Sequence, residues 1–382
     1  RRGRRNETNL REFIKHKKIL DLKRRLCYNM DMLAPNLQII YQNSCADALF
    51  IEQDFLRRYL TGFYSTDGYV VLTAEKCVLV VDSRYIEAAR KAHLAEGVEV
   101  REGSYTAALE LIKGYKRIGV PYPFINLSRA ETLKKEGLEL VDCMETLKCA
   151  MLTKTDRELA LIARACDIAE DAFLRLLPQI KEGMCEREIA ALLEYEMRAL
   201  GAEGVSFDTI VAFGANGSVP HHETGETRLR FGDAVLIDFG CKTQGYCSDC
   251  TRTFLFGDDK KHEKFKEIYA HVLAAHTLVQ ERVTAGMTGH DADAIARNYL
   301  KEHGLDKYFT HSLGHGIGLQ IHEYPLLSPR KEEILQDGMV FSDEPGVYIA
   351  GEIGVRIEDS LYMKGGKAHT FMKKTQKNLI IL

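Results

Sequence analysis

Val235-Leu-Ile-Asp-Phe-Gly-Cys-Lys-Thr-Gln-Gly-Tyr-Cys-Ser-Asp-Cys-Thr-Arg-Thr-Phe254 contains two strand-like runs on either side of Lys242-Thr-Gln-Gly245. Glycine in the last place suits these four residues to a hairpin turn. With that turn, residues facing each other have numbers adding to 487, which sets Asp238 opposite Asp249. Their side chains would stand about 5 Å apart on one face of the sheet. Asp238 lies inside the apolar run Ala234–Phe239, which predicts burial. Two facing buried carboxylates repel unless they share a proton, hold a cation between them, or one of them turns out or pairs with Arg252.

Further along, His311-Ser-Leu-Gly-His-Gly-Ile-Gly-Leu-Gln-Ile-His-Glu323 sets three histidines among small residues that permit close backbone approach. Phe341-Ser-Asp-Glu-Pro-Gly-Val-Tyr348 and Gly354-Val-Arg-Ile-Glu-Asp359 follow, with Glu344 and Glu358 symmetric about Gly351. A second hairpin would bring those two glutamates together. Asp238, Asp249, Glu344 and Glu358 carry a formal charge of −4, which two divalent ions would balance. Oxygen-rich ligation with one imidazole suits Mn²⁺, with Zn²⁺, Co²⁺ or Fe²⁺ as substitutes. Two such ions held close together serve metal-assisted hydrolysis.

The chain as a whole reads as two domains, with both hairpins in the second. Between residues 45 and 145, strand patterns at Ala48–Ile51, Tyr69–Leu72, Cys77–Asp82, Val98–Val100, Ile118–Val120 and Leu138–Val141 alternate with helices at Ile86–Leu94, Thr106–Lys113 and Leu127–Glu136. This is an α/β domain. A boundary falls near Lys148–Thr155. Helical patterns at Lys154–Leu177 and Cys185–Leu200 precede strands from Thr209 to Phe256. Helices at Glu263–Val283 and Asp291–His303 precede strands from Val340 to Met363. Helix, helix, strand hairpin thus occurs twice, which predicts an α+β domain with a pseudo-twofold repeat. Gly314-x-Gly316-x-Gly318 has the wrong spacing for a dinucleotide loop.

The chain has 382 residues, 45% hydrophobic and 28% charged, which is globular composition for more than one core. No apolar run approaches the ~18 residues of a membrane helix. Residues 1–25 carry 11 Lys/Arg and 3 Asp/Glu, so the remainder of the chain has a net charge of −11. That body is a poor phosphate binder, which argues against a nucleic-acid partner. The basic stretch 1–30 fits neither a transit nor a signal peptide and is expected to be a poorly ordered extension. Ten scattered cysteines suggest free thiols in a reducing cytoplasm. Cys247-x-x-Cys250 has no second pair to complete a zinc site.

From about residue 35 onward the sequence resembles the pita-bread metallopeptidases, which include methionine aminopeptidase, Xaa-Pro aminopeptidase and proline dipeptidase. The resemblance rests on Asp238 in IDFG, Asp249 in SDCTRT, His315 in GHGIG, Glu344 in EPGVY and Glu358 in VRIED. It implies that these five hold two metals, with Asp249 and Glu358 bridging. Arg58-Tyr-Leu-Thr-Gly-Phe63 and Asp82-Ser-Arg-Tyr85 resemble phrases of the creatinase/prolidase N-terminal domain. The expected organisation is therefore a creatinase-like domain over 31–148 and a pita-bread catalytic domain over 149–382.

The resemblance also implies roles. His221, 17 residues before Asp238, and His322, seven after His315, would contact the substrate and help move protons. Arg356 would orient a carboxylate ligand. A hydroxide bridging the metals would attack the first carbonyl of a peptide, with Glu344 as general base. The preferred reading is an Xaa-Pro aminopeptidase, because Leu326 rather than an arginine follows His322-Glu-Tyr-Pro325. Its alternative is proline dipeptidase, and the reading of a different class is an inactive binding module. His222 has no implied role and reads as a solvated loop histidine. The family also implies a homodimer, with the N-terminal domain edging the partner's active site.

Overall fold

A computed structural model describes residues 33–258 and 262–382, so the basic stretch 1–30 lies outside the described residues. The chain divides into two compact units at Met151/Leu152.

The first unit is built on a six-stranded mixed sheet. Its strands are β1 (Ala48–Ile51), β2 (Tyr69–Leu72), β3 (Cys77–Val81), β4 (Val98–Glu102), β5 (Arg117–Val120) and β6 (Glu139–Asp142), in the order β4-β3-β2-β1-β5-β6. β1 to β3 are buried throughout, apart from Tyr69 at the start of β2, because each face meets its own core. Leu49, Ile51, Val70 and Leu72 enter one cluster, and Ala48, Phe50, Val71 and Val78 the other. That is the period-two alternation of a strand covered on both sides. Among the described residues, six helices accompany the sheet: α1 (Pro35–Asn43), α2 (Asp54–Thr61), α3 (Ile86–Lys91), α4 (Tyr105–Ile112), α5 (Leu127–Lys135) and α6 (Met144–Leu152). α1, α2 and α6 were not expected from sequence.

The second unit repeats one arrangement. Its first half packs α7 (Asp156–Leu176) and α8 (Glu186–Ala199) on β8 (Ile210–Phe213), β9 (Asp233–Phe239) and β12 (Cys250–Phe256). A Thr155/Glu158 capping box starts α7, whose buried stripe runs from Ile162 to Leu176. Small pieces β7 (Gly204–Val205), β10 (Cys241–Thr243) and β11 (Tyr246–Cys247) form a separate three-stranded sheet. The second half packs α9 (Glu263–Arg282) and α10 (Gly289–Glu302) on a sheet that includes β13 (Gly314–Gly316), β14 (Glu323–Leu327), β15 (Val340–Asp343), β18 (Asp359–Lys364) and β19 (Lys367–Thr370). Between β15 and β18 the ribbon continues as the hairpin β16 (Gly346–Ile349) and β17 (Ile353–Arg356). The halves join where Thr251 bridges Glu358.

The two hairpins compare differently with the sequence. Around Gly351, Gly346 faces Arg356 and Asp343 faces Asp359, which continues the symmetry that relates Glu344 to Glu358. The first hairpin has another register. Thr243 faces Tyr246, and Thr251 rather than Asp249 faces Asp238. Only Gln244-Gly245 form the loop, both with positive φ (45° and 83°), as a tight primed turn requires. Asp249 therefore lies diagonal to Asp238. The shift in partner is two residues, so both carboxylates keep the same face.

Candidate metal centre

Each acidic side chain reaches the centre from a strand end. Asp249 lies just before β12, where its amide donates to Ser360 Oγ at 3.1 Å. Glu358 lies just before β18, and its Oε2 accepts from Thr251 Oγ1 at 2.6 Å. Glu344 follows β15, with Oε1 3.1 Å from Ser342 Oγ. His315 sits in β13, its amide donating to Ser342 Oγ at 3.0 Å. This strand can approach so closely because position 314 is glycine: a Cβ there would stand 2.0 Å from the Ser342 carbonyl. His315 Nδ1 lies against the Gly316 carbonyl at 3.2 Å. That contact assigns the proton to Nδ1 and leaves the Nε2 lone pair toward the carboxylates. Nε2 is 3.5 Å from Asp249 Oδ2 and 3.4 Å from Glu344 Oε1.

The electrostatics match a cation site. Burial raises Asp249 and Glu358 well above the usual carboxylate range, and each is raised further by the other site carboxylates. Glu344 is pushed up to about 8, chiefly by burial, with Arg356 opposing and Asp238 adding. Burial, with the His322 ring adding, lowers His315 to about 4, so the imidazole is neutral and available as a ligand. Ligand atoms of Asp249, His315 and Glu358 all lie within 4.8 Å of one another. Asp238 adds Oδ1, a buried oxygen with no hydrogen-bond partner. Acidic oxygens, one neutral imidazole and an orphaned carboxylate oxygen fit one or more hard divalent ions.

Asp238, Asp249, His315, Glu344 and Glu358 all line one cavity of about 420 Å³, together with His221, His322 and Arg356. The His322 ring is 4.3 Å from that of His315. Arg356 is buried, and its guanidinium donates to Asp238 Oδ2 (2.6 Å), Thr251 Oγ1 (2.9 Å), Tyr348 Oη (2.8 Å) and the Pro220 carbonyl (3.3 Å). Arg252 is not a partner of either site aspartate; its Nη2 pairs with Asp359 at 2.9 Å.

Sequence reasoning gave no part to His311, Tyr348 or Thr251. His311 lines the cavity and its Nε2 is 2.9 Å from Tyr348 Oη. Burial, aided by the Arg356 charge, lowers it to about 4. Its spacing of four from His315 was the available signal. His222 is not a solvated loop histidine: its side chain is 16% exposed and its Nε2 is 2.9 Å from the fully buried Glu186. The bonding carboxylate lies 36 residues earlier in the chain, so local sequence could not reveal it.

The sequence pattern of metallopeptidase family M24 matches residues 160–365, and that of the creatinase/prolidase N-terminal domain matches residues 35–149. An Xaa-Pro dipeptidase of Pyrococcus horikoshii is 37% identical over 341 residues, covering 87% of this chain and 94% of the relative. Among solved structures, an Xaa-Pro dipeptidase from Bacillus anthracis superposes with a TM-score of 0.86 at 36% identity, covering 91% of this chain and 98% of that one. An X-Pro aminopeptidase from Thermotoga maritima superposes at 0.84 with 32% identity, covering 90% and 99%.

Proposed function

The chain belongs to metallopeptidase family M24, and on that premise we propose that it is a proline dipeptidase hydrolysing Xaa-Pro dipeptides at a two-metal centre. The observation that carries the dipeptide choice is the near full-length similarity to proteins named Xaa-Pro dipeptidase. It moves the reading from the aminopeptidase favoured by sequence to its alternative.

In this reading Asp238, Asp249, His315, Glu344 and Glu358 hold two divalent ions, Mn²⁺ first among them. When bound, such ions supply Lewis acidity and positive charge where negative charge develops on the scissile carbonyl. Glu344 takes the proton of the attacking water and passes it to the leaving proline nitrogen. His322 and His221, on the cavity wall, donate to the developing oxyanion. Arg356 orients Asp238 through the 2.6 Å contact.

One observation favours the aminopeptidase as second reading. Leu326 lines the cavity after His322-Glu-Tyr-Pro325, and exposed Arg330 does not, so no arginine from this stretch meets a free substrate carboxylate. The proposal includes a homodimer, supported by family resemblance and tested by sedimentation. It also includes a cytoplasmic location, which the scattering of ten cysteines through the chain supports.

The deciding experiment compares Xaa-Pro with Xaa-Pro-Yaa hydrolysis in Mn²⁺. Dipeptide cleavage alone is expected. Efficient tripeptide cleavage replaces the proposal with the aminopeptidase. No hydrolysis and no bound metal would leave the inactive module.

A further inference from the structure

His222 stands beside His221 in the chain and outside the cavity lining. Its partner Glu186, the first residue of α8, has no exposed side-chain surface. Four groups converge on that carboxylate. Phe213 N (2.9 Å) and Asn216 Nδ2 (2.7 Å) donate to Oε1, and Gly225 N (3.0 Å) and His222 Nε2 (2.9 Å) meet Oε2. A buried carboxylate with this many donors is fully satisfied and therefore rigid.

The segment carrying His221 is thus tied on both sides to a buried charge. Before it, the Pro220 carbonyl accepts from Arg356 Nη1 at 3.3 Å. After it, His222 meets Glu186. Thr224 adds a further tie, donating to the Thr209 carbonyl at 2.8 Å and accepting from Val211 N at 2.9 Å. Glu186 itself lies outside the cavity lining, so its effect on the reaction would pass through the loop.

We infer that Glu186 and His222 form a positioning pair that sets where the His221 imidazole stands in the cavity. This rests on the reading of His221 as a residue that works on substrate. A catalytic group displaced by about 1 Å can cost on the order of a hundredfold in rate, so the pair has leverage without touching substrate.

The test uses the Mn²⁺-loaded full chain with Ala-Pro. It compares His222→Ala, His222→Gln, His221→Ala and the double variant His221→Ala/His222→Ala, with metal content and amide hydrogen exchange measured alongside. His222→Ala should lower kcat by roughly tenfold to a hundredfold, keep its metal, and speed exchange at the Gly225 amide. His222→Gln, whose amide can still donate to Glu186, should recover most of the loss. The double variant should be no slower than His221→Ala. Wild-type kcat in His222→Ala, or losses that multiply in the double variant, would overturn the inference. Should His222→Ala fail to fold, a folded His222→Gln as slow as His221→Ala overturns it, and one near wild-type rate supports it. Full activity in His221→Ala would strike the premise itself, an outcome visible in that single variant and distinct from failure of the pair.

Discussion

Asp343 and Asp359 face one another across β15 and β18, one residue away from Glu344 and Glu358. Successive side chains of a strand alternate faces, so one ribbon sends its glutamates forward to the candidate metal centre and its aspartates back. Positive groups meet the aspartates there. His276 Nδ1 is 3.0 Å from Asp343 and its Nε2 3.7 Å from Asp359, and Arg252 and Lys377 also pair with Asp359. Burial disfavours a charged His276, but the two aspartates outweigh it and raise the imidazole to about 9.

His276→Gln should therefore remove a pH-dependent stabilisation. The folded pKa is raised above 6.5, so the contribution is complete below about pH 6.5 and disappears as pH rises through about 9. Its upper size is on the order of 3 kcal/mol. Urea melts of the Mn²⁺-loaded protein should show this decline in wild type and not in the variant. An equal slope in both would mean that His276 is uncharged.

Removing metal should change the pH profile in its own way. Without a cation, the folded protein holds a proton on Glu344 up to about pH 8 that the unfolded chain releases near 4.5. The folded state then binds more protons, so stability falls as pH rises across that window. Calorimetry in chelator should show Tm decreasing from about pH 5 to about pH 8, with Mn²⁺ restoring it. A Tm that rises over that range would contradict the assignment.

Glu344→Gln should abolish turnover and leave the fold largely intact. General acid–base work contributes about 10²–10⁴-fold, and the ligand role adds to the loss. Steady-state kinetics beside a thermal melt separates the cases: unfolding would make Glu344 structural, and near-normal turnover would remove it from the mechanism.

Thr251→Val takes away the hydroxyl that donates to Glu358 and accepts from Arg356. Residues that orient metal ligands are typically worth about 10–100-fold in affinity or activity. Titration calorimetry with Mn²⁺ should show weakening of that order, and unchanged affinity would reduce the hydroxyl to packing.

Gly354→Ala should destabilise the second hairpin. A Cβ at that position would lie 1.6 Å from the Gly217 carbonyl, so backbone must move. Overpacking of this kind costs about 1–3 kcal/mol, and a thermal melt within a degree of wild type would refute the clash.

The sequence by itself determined the strand–helix alternation of the first unit and the twofold repeat of the second, because burial patterning is local and leaves its period in the chain. It also brought Glu344 and Glu358 together, since equal numbers of residues separate each from Gly351, and both line the same cavity. The register of the first hairpin was not legible. Turns at Lys242–Gly245 and at Gln244-Gly245 both keep Asp238 and Asp249 on one face, and only the left-handed conformation of Gln244 and Gly245 distinguishes them. Tertiary structure alone decided that His222 meets Glu186, that Arg252 serves Asp359 while Arg356 serves Asp238, and that His276 lies behind the metal ribbon. Those pairings join residues 36 to 118 positions apart. Their partners are selected by burial, which makes an unpaired charge too costly to keep.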